Sequence, residues 1–433
     1  MKKGYIVVFL TILLVFLNAD QMVMSPNIGE IEKEFGVDDA QIGVVASVFS
    51  ILGAAISLIW GFLTDKFNRK KLLIFSILIG EIPCMMSAFA GSFSELFFWR
   101  AMTGIGVGAS FPIAYSIVGD MFNHEKRGKV SAILGVAVSL GAIVGMVIGG
   151  FVGGATGWRT PFLIVSIPNI VLGFAAFFIL KEPKRGAMEV GIGELVQEGY
   201  SYPGKIKWTD YFNLFKVKTN LVLFFQGVVG TIPWGAIPYF LVEFLKRERG
   251  MDANIATLVF IVFGLGNIIG AVAGGFIGEW LYKKNPNNVP MLCGITTALG
   301  AVITIMVFVV VPDKSMGGVV LLSTIGFFAA LFDSVTGPNM KMMLLNVNKP
   351  QDRGRIFSVF NLTDSLGAGF GKFVGGVLSI SLGSLGAAMQ VSSYFWFICA
   401  FFLFILMAFF KRDISSLQTQ MYEMKKAVES SNA

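Results

Sequence analysis

Long apolar segments recur along the whole chain and constrain its fold more than any other feature of the sequence. Each contains about 20 residues, which as a helix span the roughly 30 Å hydrocarbon core of a bilayer. Of the 433 residues, 55% are hydrophobic and only 14% are charged, against about 25% charged in a soluble domain. Twelve spans are predicted, at 5–25, 40–62, 72–91, 96–118, 129–153, 161–180, 219–244, 253–281, 289–311, 317–341, 355–380 and 389–410. The sequence therefore predicts an all-α membrane protein.

The first span also has the basic start and short apolar core of a signal peptide. Leu17 stands three residues before a cleavage site after Ala19, where a small residue is preferred, and apolar sequence resumes beyond Asp20. A retained transmembrane helix is therefore the favoured interpretation.

Lysine and arginine are concentrated in every second connecting segment, as in the cytoplasmic loops of membrane proteins. Lys246, Arg247 and Arg249, after the seventh span, are the exception. We expect a protein of the cell membrane with both termini in the cytoplasm. The net charge of +7 then reflects loops facing an anionic leaflet, and no nucleic-acid partner is needed.

The chain contains an internal repeat. RGKVSAILGVAVSLGAIVGMVIGG from Arg127 aligns without gaps with RGRIFSVFNLTDSLGAGFGKFVGG from Arg353, and Pro112 and Pro338 keep the same separation of 226 positions. Parallel six-helix repeats are used by secondary transporters, with the substrate site near the bilayer midplane. The predicted domains are a six-helix bundle at 1–180, a cytoplasmic linker with an amphipathic helix at 181–218, a second six-helix bundle at 219–410 and a cytoplasmic tail at 411–433.

A polar motif follows the second predicted helix. GFLTDKFNRKKLL, at 61–73, resembles the signature loop of the major facilitator superfamily, G-x-L-x-D-R-x-G-R-K-x-x-L, and the resemblance covers all twelve helices. The variant D-K-F-N-R-K resembles the spinster branch, which contains sphingolipid and lysophospholipid transporters. Asn68 replaces the usual Gly, and Asn is one of the few other residues that adopt a left-handed backbone.

The resemblance implies a cytoplasmic latch between the two halves. Asp65 is expected to face the start of the eleventh helix, and Arg69 is expected to reach Asp120. A role of these charges in membrane topology alone is the open alternative. The predicted latch residues are Gly61, Asp65, Asn68, Arg69, Lys70 and Asp120.

Two ionisable residues of the first half lie within predicted spans. Asp20 and Arg100 are each about five residues from the outer end of their span, so both lie roughly 7 to 8 Å below that surface and are predicted to pair. A charge at membrane depth costs about 2.5 to 3.5 kcal/mol on insertion scales and is commonly functional. FFWRAMTGIGVG around Arg100 resembles the superfamily motif R-x-x-x-G-x-G, which implies a role in proton coupling.

Glycine recurs every four residues in the fifth and eleventh predicted helices, a spacing that allows close helix packing. Packing and a functional hinge both remain open. GAIVGMVIGG resembles the superfamily's antiporter motif, but Met146 replaces its Pro, which weakens the case for export. The packing glycines are Gly141, Gly145, Gly149, Gly367, Gly371 and Gly375.

Polar residues within the second-half spans are candidates to line a substrate cavity, because apolar pockets use a few polar groups to orient a ligand. Asp364 and Lys372, eight residues apart, are also candidates to neutralise each other. The cavity candidates are Gln226, Trp234, Asn267, Asp333, Asn361, Asp364 and Lys372.

The sequence favours a transporter over an enzyme. The single histidine, His124, cannot supply an HExxH motif, and GAGFGKF lacks the spacing of a phosphate loop. None of the three cysteines has a CxxC partner. No metal or cofactor is therefore expected, and the proton is the expected coupling ion.

The expected function is proton-coupled alternating access by a monomer that moves a small organic or amphipathic solute, with lysolipid-like molecules included. One alternative is an uncoupled facilitative uniporter. Another, from a different class, is a membrane receptor or scaffold that binds a ligand without flux. The sequence does not distinguish import from export or identify the substrate.

Overall fold

The computed structural model describes residues 3–122, 124–180, 182, 209–310, 315–349 and 353–431. These residues form helices joined by turns, and no strand occurs among them. The helices are α1 Lys3–Ala19, α2 Ile28–Phe35, α3 Asp39–Lys66, α4 Arg69–Ser87, α5 Phe93–Val107, α6 Ser110–Met121, α7 His124–Val147, α8 Gly153–Thr156, α9 Thr160–Ile179, α10 Thr209–Leu214, α11 Lys218–Arg247, α12 Ala253–Lys284, α13 Asn288–Val309, α14 Met316–Ser334, α15 Thr336–Val347, α16 Arg353–Leu382, α17 Leu385–Ser393, α18 Phe395–Leu406 and α19 Phe410–Ser431.

Each of the twelve predicted spans contains at least one helix. Ten helical stretches in the described part of the chain are long and apolar enough to cross a membrane. The other two are α1, with 17 residues, and α4, whose 19 residues begin with three basic side chains. Most of the predicted linker lies outside the described residues, and the predicted tail is the helix α19.

The chain forms two compact units. The first contains Met1–Lys205, Pro238–Ile261 and Lys372–Leu385, and the second contains Ile206–Ile237, Val262–Gly371 and Gly386–Ala433. The unit boundaries therefore fall within α11, α12 and α16, whereas the domains predicted from the sequence end between helices.

The fourth and tenth predicted spans are each two helices, broken at equivalent points of the repeat. Pro112 has no N–H to bond the carbonyl of Gly108, and Pro338 has none for Ser334, so each helix is interrupted just before its proline. The sequence repeat therefore preserves a structural feature, the helix break, as well as residue identities.

Glycines bring neighbouring helices into backbone contact, as their spacing predicts. In the first unit, a Cβ added to Gly141, Gly145 or Gly149 would meet a backbone carbonyl of the first span, and in the second unit Gly367 and Gly371 face α11 in the same way. Gly375 is buried. Any side chain at the five contacting positions would force the paired helices apart.

Candidate functional site

Asp20 and Arg100 form a buried ion pair in the first unit. Nη1 of Arg100 donates to the Asp20 carboxylate at 2.5 Å, and the two side chains are 4% and 0% exposed. The guanidinium also lies over the rings of Phe49 and Phe162, 4.6 and 5.5 Å from their centroids. The contact predicted from matching depths is present.

The end of α1 gives Arg100 a second acceptor. The prediction of one helix over 5–25 is wrong, because α1 ends at Ala19 and a run of turns follows. The Asn18 side chain bonds the Leu14 carbonyl, and such local bonds from Asn compete with regular helix. The Asp20 carbonyl is therefore available to accept from Nη2 of Arg100 at 2.9 Å.

Glycines in and just after α5 face two neighbouring helices and fix the position of Arg100. A Cβ on Gly104 would meet the carbonyl of Phe49 on α3, and one on Gly106 would meet the backbone of Gly80 on α4. Gly108 faces the carbonyl of Gly53 in the same manner. Because α5 packs closely against both α3 and α4 about one turn after Arg100, the guanidinium is held at a fixed depth.

Two further ionisable residues were missed by the sequence reasoning. The Cys84 thiol donates to the Asp20 carboxylate at 3.0 Å, and Glu81, one turn earlier on α4, is fully buried. Asn169 on α9 donates to Oε1 of Glu81 at 2.8 Å. Glu81 lies inside a predicted span, and a charged residue at that position is by itself a reason to treat it as a functional candidate.

Arg69 is the centre of a second buried cluster in the first unit. It is 1% exposed and bonds Asp120, as the superfamily resemblance implies. Its Nε also donates to Glu182 at 2.9 Å, and Nη1 lies 3.3 Å from the Ser116 carbonyl. Glu182 accepts from the backbone N–H of Lys70 as well, at 3.0 Å. Glu182 was not predicted.

The other predicted latch residues have different outcomes. The expected left-handed conformation of Asn68 is wrong: its φ is −63° and its side chain caps α4 by accepting from the N–H of Lys71. An N-cap residue has extended backbone, which any residue adopts. Gly61 has open space where a Cβ would be. The Asp65 side chain lies outside the described residues.

Three of the cavity candidates in the second unit keep a buried oxygen without a hydrogen-bond partner in the described part of the chain. These are Oε1 of Gln226 and Oδ1 of both Asp333 and Asp364. Thr304 donates to the other Asp333 oxygen at 3.0 Å, and the Gln226 amide reaches the Cys399 sulfur at 2.9 Å.

The remaining candidates have varied surroundings. Trp234 packs edge-on against Trp396, with ring centroids 5.7 Å apart, while Asn267 is half-buried and Asn361 is exposed. Lys372, in the first unit, donates to Ser50 at 2.7 Å. It is therefore not neutralised by Asp364, because eight helical residues separate the two by about 12 Å of rise.

The first unit also contains a charged cluster where α2, α3 and α11 meet, here called the Arg247 cluster. Arg247 bonds Glu32 at 2.6 Å, Asp39 at 2.9 Å and Glu243 at 3.4 Å, and Ser379 donates to Asp39. One guanidinium is shared by three carboxylates. Burial, a hydrogen bond with Asp39 and the charge of Asp39 raise the pKa of Glu32 to about 8.

A family model described as the Major Facilitator Superfamily matches the chain at residues 10–336 and 223–420. The chain belongs to the major facilitator superfamily. It is a multi-pass membrane protein and a secondary transporter of the superfamily type.

This transporter is similar in sequence to proteins from a bacterium and from a fly. It is 26% identical over 311 residues to a probable sulfoacetate transporter of Cupriavidus necator, covering 70% of this chain and 72% of that protein. It is 24% identical over 339 residues to protein spinster of Drosophila melanogaster, covering 77% of this chain and 54% of spinster.

A solved structure shows the same fold. It is that of a bacterial homologue of the human lysosomal transporter Spinster, in an inward-facing and unoccupied conformation, with a TM-score of 0.82 and 20% identity. The match covers 95% of this chain and 99% of the other. The likeness to spinster proteins predicted from the signature loop is thus present in sequence, to protein spinster, and in fold, to this bacterial homologue.

Proposed function

We propose that this transporter moves a small organic or amphipathic solute across the cell membrane by proton-coupled alternating access. The observation that carries the proposal is the fully buried Asp20, bound by Arg100 where α1 ends. Ion sites in secondary transporters commonly lie at such helix interruptions.

The geometry supports a proton switch at Asp20. A nearby guanidinium favours the ionised form of a carboxyl group, whereas burial without it favours the neutral form. Arg100 keeps the Asp20 carbonyl and two aromatic faces as partners after the carboxylate is protonated. A conformational change that separates the two side chains therefore lets Asp20 bind a proton without leaving Arg100 unsatisfied.

The second unit supports a substrate with both a polar and an apolar part. Buried oxygens of Gln226 and Asp364 lack a partner among the described residues, so they are free to bind polar substrate atoms. Trp234 lies against Phe263 and Trp396, which form an apolar wall. The relative named for sulfoacetate makes organic anions the first class to test, followed by lysolipids.

The latch supports the proposed orientation. In the superfamily the signature loop is cytoplasmic, and the cluster of Arg69, Asp120 and Glu182 forms around it. With that cluster in the cytoplasm, the basic loops follow the positive-inside pattern. Both termini are then cytoplasmic.

Transport by purified protein in liposomes tests the coupling. Sulfoacetate and lysophosphatidylcholine are first screened by thermal shift, and the stabilising solute is then followed across liposomes with an imposed pH gradient. We expect Asp20→Asn to keep solute exchange at equal pH and to lose the response to the gradient, because an amide does not titrate.

Glu279→Gln is the matched control. Glu279 is exposed at the end of α12 and pairs only with Lys283 among the contacts described, so its loss leaves coupling unchanged. Coupling of normal strength in Asp20→Asn contradicts the proposed function. Wild-type flux that ignores the pH gradient favours the uniporter instead.

A further inference from the structure

Glu81 is a buried carboxyl group that the Asp20 and Arg100 switch does not use. It is 0% exposed, and its only hydrogen bond among the described residues is the one that Asn169 donates to Oε1. Oε2 is buried and has no partner there. An ionised carboxylate with one neutral donor is costly away from water, whereas a neutral carboxyl group is tolerated.

The packing places Glu81 beside the coupling pair. Cys84 follows it by three residues, so the two side chains are neighbours on one face of α4. The Cys84 thiol touches the Asp20 carboxylate at 3.0 Å, and its sulfur is 4.0 Å from the Phe162 carbonyl. Phe162 and Asn169 are seven residues apart on the same face of α9, which covers both Cys84 and Glu81.

Neither nearby cation is paired with Glu81, which favours a proton on its carboxyl group. The ionisable groups in this region of the first unit are Asp20, Glu81, Cys84, Arg100, Tyr239 and Lys372. Arg100 donates to the carboxylate and the carbonyl of Asp20, and Lys372 donates to Ser50. Neither cation bonds Glu81, and the Asp20 carboxylate close by repels a second negative charge.

We propose that Glu81 is a second proton-carrying residue of this transporter, neutral while Asp20 is bound to Arg100. When the pair separates, the proton moves from the Glu81 carboxyl to the Asp20 carboxylate. Arg100 is then free to neutralise the Glu81 carboxylate that is left. No net charge is created in the buried site, since one O–H bond breaks and one forms. This role rests on the proposed proton coupling.

Infrared spectroscopy of the purified protein tests the protonation without any substrate. At neutral pH the wild type minus Glu81→Gln difference spectrum is expected to contain the C=O band of one buried, protonated carboxyl group. The corresponding difference for Glu279→Gln, which removes an exposed carboxylate, is expected to lack it. Absence of the band from the Glu81→Gln difference overturns the proposal.

Asn169→Ala supplies a second test that keeps Glu81 in place. Removing the amide that donates to Oε1 frees the carbonyl of the neutral carboxyl group, so the same band shifts to higher frequency. An unshifted band shows that another carboxyl group produces it, which overturns the assignment. If Glu81→Gln does not fold, Asn169→Ala still tests the protonation of Glu81.

Transport tests the coupling role separately. In liposomes, Glu81→Gln is expected to lower the uptake driven by a pH gradient at least tenfold and to keep solute exchange at equal pH. Glu81→Asp is expected to retain the driven uptake with a shifted pH profile. If the wild type is coupled and Glu81→Gln is equally coupled, Glu81 carries no transported proton. If the wild type itself is uncoupled, the proposed function fails and this role fails with it.

Discussion

At the scale of single residues, Arg100 combines three kinds of contact that only a planar guanidinium makes together. Nη1 binds a carboxylate, Nη2 binds a backbone carbonyl, and the plane of the group lies over two aromatic rings. A lysine ammonium is a compact point charge and does not reproduce such a fork.

Arg100→Lys is therefore expected to destabilise the protein by about 2 kcal/mol, somewhat less than the roughly 3 to 5 kcal/mol for losing one partner of a buried pair. Arg159→Lys is the control, because Arg159 binds Glu34 at the surface with both side chains about 40% exposed. An exposed pair contributes about 0 to 1 kcal/mol. Thermal unfolding in detergent measures both variants, and equal shifts of the midpoint would contradict the structural role of Arg100.

The sequence predicts the Asp20 contact with Arg100 because depth in a membrane is a single coordinate, counted from helix ends. It does not predict that Asn169 faces Glu81 or that Glu182 reaches Arg69, since these contacts depend on which faces of the helices meet. The rotation of each helix is set by packing across the unit, and no local pattern in the sequence encodes it.

At the scale of helices, the two repeats solve the same packing problem with glycine. Gly145 lies against the carbonyl of Ala19, and Gly371 lies against that of Ile232. The spacing of four residues predicted this close approach, because it returns to one helix face. The end of α1 at Ala19 was not predictable from hydropathy, since the apolar pattern continues past it.

Gly145→Ala is expected to destabilise the first unit, because a methyl group there would overlap a backbone atom that cannot move independently of its helix. Overpacking of this kind costs about 1 to 3 kcal/mol. Gly135→Ala on the same helix is the control, since the nearest atom to its added Cβ is the Tyr115 hydroxyl at 3.9 Å. There the change is neutral or stabilising by up to about 1 kcal/mol. Unfolding midpoints that fall equally would show that the glycine stripe is not a packing surface.

At the scale of the whole molecule, the fold is the part that the sequence predicts best. Twelve apolar segments, a repeat and one signature loop identify the superfamily, because each is a property of the chain itself. The composition of the first compact unit was not predicted. Its Arg247 cluster joins residues more than 200 positions apart, such as Glu32 and Arg247, which only the folded chain brings together.

The Arg247 cluster makes the stability of the whole protein depend on pH. The pKa of Glu32 is about 8 in the folded protein, above its ordinary value of 4.5, mainly because the side chain is buried. Between these two values the folded state binds more protons than the unfolded state, so stability falls as the pH rises. The contribution is complete below pH 4.5 and is lost by about pH 8.

Glu32→Gln is expected to flatten this dependence, because an amide cannot lose a proton. The unfolding midpoint of this variant should exceed that of the wild type most clearly above pH 8.

Glu34→Gln is the control, because the pKa of Glu34 is shifted in the opposite direction. Hydrogen bonds from Arg159 and Trp158 lower the pKa of Glu34, so its carboxylate stabilises the protein at neutral pH and the benefit disappears in acid. Unfolding midpoints of the wild type and both variants from pH 4 to pH 9 measure these slopes. If the midpoint rises from pH 5 to pH 8 by more in the wild type than in Glu32→Gln, the assigned protonation of Glu32 is contradicted.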